Sequence, residues 1–171
     1  MKTIFLTLIW FVCFCSFSQD YENGSVDFGV GAAISVGLQE EVGFDMRLQY
    51  QPSTKKSTYI AEYNRFFVKE FENTEVYNEF GITYNIRLMH WNALSITGGV
   101  GYIGNDYKIL SRAEDTSSLF FSTGNFNHAA ALKFRGLYDI NPIQVFVEFN
   151  LKSFGKRYDT VILGLTYSLG I

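Results

Sequence analysis

The sequence predicts an all-β fold: a closed, antiparallel, eight-stranded up-and-down transmembrane β-barrel with both chain ends periplasmic. Three observations predict it. The last twelve residues alternate between an apolar and a small or polar face. Seven segments upstream repeat that alternation. The longest connector falls at the end opposite the termini, where membrane barrels carry their loops.

The chain opens on a different signal. Lys2 is the only charge before Asp20, and Ile4 to Cys15 is apolar apart from Thr7. Ser16 and Ser18 then place small residues at −3 and −1, which predicts a secretory signal peptide cleaved after Ser18. The apolar stretch is too short for the ~20 residues of a spanning helix. Cys13 and Cys15 both lie in it, so the expected mature chain, residues 19–171, has no cysteine and no disulfide framework.

Eight ribbons follow, since successive strand side chains point to opposite faces. The first, Val26 to Leu38, sets Val26, Phe28, Val30, Ala32, Ile34, Val36 and Leu38 against small residues and Asp27. The second sets Phe44, Met46, Leu48 and Tyr50 against Asp45, Arg47, Gln49 and Gln51. The third sets Tyr59, Ala61 and Tyr63 against Ile60, Glu62 and Asn64, then loses its alternation at Arg65-Phe66, where a bulge is expected.

The fourth has Phe80, Ile82, Tyr84, Ile86 and Leu88 against Glu79, Gly81, Thr83, Asn85 and Arg87. The fifth has Leu94, Ile96, Val100 and Tyr102 against Ser95, Thr97, Gly99 and Gly101. The sixth has Ala130, Leu132, Phe134 and Tyr138 against Ala131, Lys133 and Arg135. The seventh has Ile143, Val145, Val147, Phe149 and Leu151 against Gln144, Phe146, Glu148, Asn150 and Lys152. The closing strand has Val161, Leu163, Leu165, Tyr167, Leu169 and Ile171 on its apolar face.

Pro52–Ser57, Met89–Asn92 and Asp139–Pro142 are the expected periplasmic turns. Residues 39–43, 66–74, 105–125 and 154–159 are the expected outer loops.

Volume decides which face meets lipid. Roughly forty bulky apolar side chains would overfill the interior of an eight-stranded barrel. Eight glycines (Gly29, Gly31, Gly37, Gly81, Gly99, Gly101, Gly164 and Gly170) share the opposite face. The bulk therefore faces lipid and the glycines relieve crowding in the lumen. Closure satisfies every backbone group, as hydrocarbon demands.

Inward positions carry Asp27, Asp45, Glu62, Glu79 and Glu148, and also Arg47, Arg87, Lys133, Arg135 and Lys152. Buried charges are costly unless paired, so five acids among five bases predict a cross-linked polar plug. A narrow ion path through the same charges is the alternative. Tyr50, Tyr84, Trp91, Tyr138 and Tyr167 near one end, with Tyr63 and Tyr102 near the other, are the expected aromatic girdles.

Composition excludes other classes. Without Lys2 there are 13 basic and 17 acidic residues, a net charge of −4, and no basic patch for nucleic acid. Gly99 to Gly104 spells G-x-G-x-x-G, but inside a ribbon, where a dinucleotide fingerprint requires a helix to open. His90 is expected at the membrane interface beside Trp91. No His, Cys, Asp or Glu group has metal-ligand spacing, and no cofactor is expected.

One enzymatic arrangement is conceivable. With Ile140-Asn141 at the centre of the sixth hairpin, His128 opposes Ser153 on the lipid face, the start of an activated nucleophile aimed at a lipid acyl ester. In 105–125, Leu119, Phe120 and Phe121 are either a contact site or an extension of the flanking strands, with the extension preferred.

These eight segments, the connectors and the closing strand Val161 to Ile171 resemble the OmpA/OmpX-like small outer-membrane barrels of double-membraned bacteria. The resemblance covers residues 24–171. It implies outer-membrane lipid and the barrel-assembly machinery as partners, and it is specific for architecture and unspecific for activity, since the family includes structural anchors, adhesion proteins, narrow channels and a few lipid-modifying enzymes. The expected role is that of a monomer, non-enzymatic, structural or in surface interaction through the outer loops, toward an unspecified extracellular partner. The terminal Ile171 replaces the aromatic residue that usually closes such chains. No peptidoglycan-binding domain is expected after it.

Overall fold

The computed structural model describes residues 24–36, 41–53, 56–70, 73–107, 121–123, 126–154 and 158–169. The expected signal peptide lies outside them, as do Gly37, Gly170, Ile171, Leu119 and Phe120. The described residues form nine strands: β1 (Ser25–Ser35), β2 (Glu41–Gln51), β3 (Ser57–Glu70), β4 (Asn73–Trp91), β5 (Leu94–Asn105), β6 (Phe121–Thr123), β7 (Phe126–Ile140), β8 (Ile143–Lys152) and β9 (Thr160–Ser168).

All pairings are antiparallel. β1 pairs with β9, and β5 with β7, so eight long strands close on themselves. Among the described residues no helix is long and apolar enough to cross a membrane. The short β6 stands outside this ring of eight. It pairs with Phe126–His128, on the edge of β7 that β8 occupies further along.

The register shows how the staves lean. Paired residues run from Ser35 through Thr160, Asn150, Lys133, Gly99, Asn85 and Thr58. Continuing onto β2 at Gln51, this walk returns to β1 at Ser25, ten residues before Ser35. A stagger of that size tilts strands by roughly 40° from the barrel axis.

The faces divide cleanly. Phe28, Val30, Met46, Leu48, Ile82, Ile86, Val100, Phe149, Leu163 and Leu165 are exposed on the outer wall. Asp45, Arg47, Glu62, Thr83, Lys133, Glu148 and Thr166 are buried inside. A soluble barrel would reverse this, so the outer wall is the lipid face. From Phe80 to Trp91 the greasy belt of β4 rises about 25–30 Å at 3.3 Å per tilted residue, a hydrocarbon thickness. Tyr50, Tyr59 and Tyr84 contact one another at one rim, with ring centroids 6.4 and 5.2 Å apart. Phe44, Tyr63 and Phe80 do so at the other, at 6.2 and 5.1 Å.

Several local expectations are corrected. No bulge interrupts β3 at Arg65-Phe66: its pairing with β2 and β4 is continuous. Phe66 turns inward and Arg65 outward because the inner wall becomes aromatic at this height. The bulge lies instead in β4, between Arg87 and Met89. The connector expected at 66–74 is largely strand, since β3 and β4 stay paired up to Glu70 and Asn73. Met89, His90 and Trp91 likewise belong to β4, leaving Asn92 and Ala93 as the turn, with Asn92 at φ 51°.

Candidate functional site

The lumen is filled in three layers. At mid-height sits an ion cluster built from β2, β3, β7 and β8. Arg47 is at its centre. Its Nε donates to Asp45 Oδ1 at 2.6 Å, and Nη1 and Nη2 donate to Glu148 at 2.9 and 3.3 Å. Lys133 bonds Glu62 and reaches Glu148 at 3.2 Å, and Arg135 Nε lies 3.6 Å from Glu148. Three acids and three bases thus compensate one another, as charges removed from water must.

Phe146 explains how two guanidinium groups fit together. The Arg47 and Arg135 carbons stand 4.1 and 4.9 Å from its ring centroid, a cation–π platform. Room for that ring comes from β9, where a Cβ at Gly164 would lie 2.5 Å from Phe146. A Cβ at Gly81 would likewise collide with the Glu62 carboxylate.

Toward the loop end, Lys152 donates to Glu79 at 2.7 Å and lies over Phe66 at 4.9 Å. Above them the lumen is capped by aromatic rings. Phe66 stacks on Tyr77 at 5.0 Å, and Tyr77 on Tyr107 at 4.5 Å. Tyr107, Phe154 and Tyr158 continue the cluster, all buried. Tyr77 donates to Glu41 at 3.0 Å, a buried acid of β2 in a segment expected to be loop. The inward Glu41, Phe66, Tyr77 and Tyr107 were missed from the sequence. The signal that could have found them is continued alternation past the apolar belt.

Asp27 and Arg87 stand apart from the ion pairs. Asp27 is buried and accepts from Gln49 Nε2 at 2.5 Å, and Gln49 in turn accepts from Arg135 at 3.0 Å. Arg87 is half-buried and forms no ion pair among the described residues. Both border a cavity of about 340 Å³ at the terminal end. His90 borders it too. The β4 bulge turns this histidine off the outer wall, and its Nδ1 lies 2.9 Å from Ser95 Oγ.

The proposed His128/Ser153 pairing is not formed. Ile140 pairs with Ile143, so Asn141 and Pro142 are the turn and the register places Ser153 beside Ala130. Ser153 Oγ accepts from the Ala130 N–H at 3.0 Å, while His128 Nδ1 lies 2.6 Å from the Tyr102 hydroxyl. The expected hairpin centre was one residue off, which displaced the cross-strand partner by two. The G-x-G-x-x-G run lies wholly within β5. Among the described residues no three His, Cys, Asp or Glu side chains gather as metal ligands would.

On the closing strand, Leu163, Leu165 and Tyr167 are exposed on the outer wall, with Val161 and Leu169 half-buried. Phe121 belongs to β6, so the chain before β7 forms a hairpin with it, instead of β5 and β7 simply lengthening.

No protein-family model matches this sequence, and no curated protein does. Solved structures do match. The Yersinia pestis outer membrane protein Ail, in a phospholipid bilayer nanodisc, superposes with a TM-score of 0.55 at 15% identity, over 85% of this chain and 99% of that one. Neisserial surface protein A (NspA) superposes with a TM-score of 0.55 at 10% identity, over 86% of this chain and 97% of that one. With its apolar outer wall, charged interior and eight closing staves, the chain has the fold of the small outer-membrane β-barrels.

Proposed function

We propose that this chain is a monomeric outer-membrane protein of a double-membraned bacterium, with a non-enzymatic structural or surface-interaction role. The terminal end faces the periplasm, and the outer loops, chiefly 105–125, meet the extracellular partner. The observation that carries this reading is the filled lumen. A barrel whose interior is occupied by ion pairs and capped by aromatic rings offers solutes no wide path. Its chemistry is then left to the connectors, of which 106–120 is the longest between strands. Export by the cleaved signal peptide and insertion by the barrel-assembly machinery belong to the same reading.

The test is replacement of residues 108–120 by a short Gly-Ser linker. Barrel insertion is followed by heat-modifiable gel migration, and surface interaction by adhesion of whole cells. Lost adhesion with an intact barrel is expected. Unchanged adhesion would overturn the loop assignment. A steady single-channel conductance from the wild-type protein in a planar bilayer would replace the reading with that of a narrow pore.

A further inference from the structure

The cavity at the terminal end is lined by two paired residues, Asp27 and Ser168, each of which carries a buried polar atom with no hydrogen-bond partner among the described residues. Asp27 is 6% exposed, and its Oδ1 has no hydrogen-bond partner among the described residues. Ser168 sits opposite Asp27 across β1 and β9, and its Oγ is also unpartnered. A carboxylate held out of water without an opposite charge is costly. The nearby cationic chain does not discharge it, because Arg135 stops at Gln49. The same wall carries Arg87, a guanidinium with no ion pair among the described residues. The cavity wall therefore carries an acid with unused hydrogen-bonding capacity beside a hydroxyl at one place and a base at another, while its second acid, Asp139, accepts from Gln144. Its volume of about 340 Å³ falls in the range of small-ligand sites.

We propose that this cavity binds a small zwitterion, an amino acid or a dipeptide, with its ammonium group on Asp27 and Ser168 and its carboxylate on Arg87. Each end of the ligand meets an opposite charge through charge-assisted hydrogen bonds. The bulge of β4 serves the site, since it presents His90 and Arg87 to the same space. Binding does not depend on which compartment the terminal end faces.

The experiment is an NMR titration of the refolded, isotope-labelled barrel in detergent micelles with L-alanyl-L-alanine. Saturable shifts confined to amides around Asp27, Arg87 and Ser168 are expected. N-acetylation of the dipeptide, or Asp27→Asn, weakens binding at least about tenfold, the loss expected for one charged hydrogen bond. C-amidation, or Arg87→Gln, does the same. The blocked dipeptides test the proposal in the unaltered protein, so misfolding of a variant cannot obscure the result. Alanine alone, run in parallel, separates a site for free amino acids from one for peptides. No saturable shift with either probe overturns the proposal. Equal binding of blocked and free dipeptides, or of magnesium ion alone, overturns it too.

Discussion

Arg47 of β2 grips Glu148 of β8 with two N–H groups, at 2.9 and 3.3 Å, and so ties together strands from opposite ends of the sequence. Glu148 also serves Lys133 and Arg135, which makes it the shared anion of three bases. Removing one member of a buried ionic cluster leaves the others uncompensated, at about 3–5 kcal/mol. Glu148→Ala is therefore expected to destabilise the barrel by that amount, read from urea unfolding in lipid. Glu62→Ala, whose ion pairs are with Lys133 and, at 4.0 Å, Arg47, should cost less. Equal stability of Glu148→Ala and wild type would show that the cluster does not hold the staves.

Two glycines should respond oppositely to a methyl group. A Cβ at Gly164 would stand 2.5 Å from both Phe146 and the Val30 carbonyl oxygen, whereas one at Gly136 meets nothing within 4 Å. Gly164→Ala is expected to cost about 1–3 kcal/mol through overpacking. Gly136→Ala should be neutral, or stabilising by up to about 1 kcal/mol through the unfolded chain. Parallel unfolding curves for the two variants check the contrast.

Depth on the outer wall sets the cost of a charge. Met46 lies midway along the exposed run Val42 to Tyr50, and Tyr50 lies at the aromatic rim. Met46→Arg is expected to cost about 2–4 kcal/mol and Tyr50→Arg about 0–1 kcal/mol. The measurement is the same unfolding equilibrium in phospholipid vesicles. Reversed costs would place the hydrocarbon belt elsewhere.

The aromatic cap should restrict ion flow. Wild-type protein is expected to show no stable conductance in planar bilayers. Phe66→Ala with Tyr77→Ala removes two stacked rings from the loop end and should raise the frequency of brief openings. The ion cluster beneath still limits their size. Identical traces from both proteins would show that the rings are not the barrier.

Much of this architecture was legible in the residues. Strict alternation marked each stave and its lipid side, because hydrocarbon selects one face and a polar lumen the other. Nine of the ten charges expected inside are buried there, and Arg87 is half-buried at the cavity wall. What failed has physical causes. Above the apolar belt neither face must be greasy, so Phe66 pointing inward looked like broken alternation. In Ile140-Asn-Pro-Ile143 two turn centres read almost equally well, and a one-residue choice decided whether Ser153 faced His128 or Ala130. The β4 bulge left no mark between Arg87 and Met89, so His90 was assigned to the membrane interface. Pairing of Asp27 with Ser168 depends on the whole stagger of the barrel and could not be read locally.

The link from Arg47 to Glu148 also constrains assembly. A sheet made only of the first four staves would carry Asp45, Arg47, Glu62 and Glu79 on a bare surface, with Lys133, Glu148 and Lys152 still to come. Such a half-built wall has no stable place in oil, so entry into the bilayer and the final joining of β1 to β9 must proceed as one event.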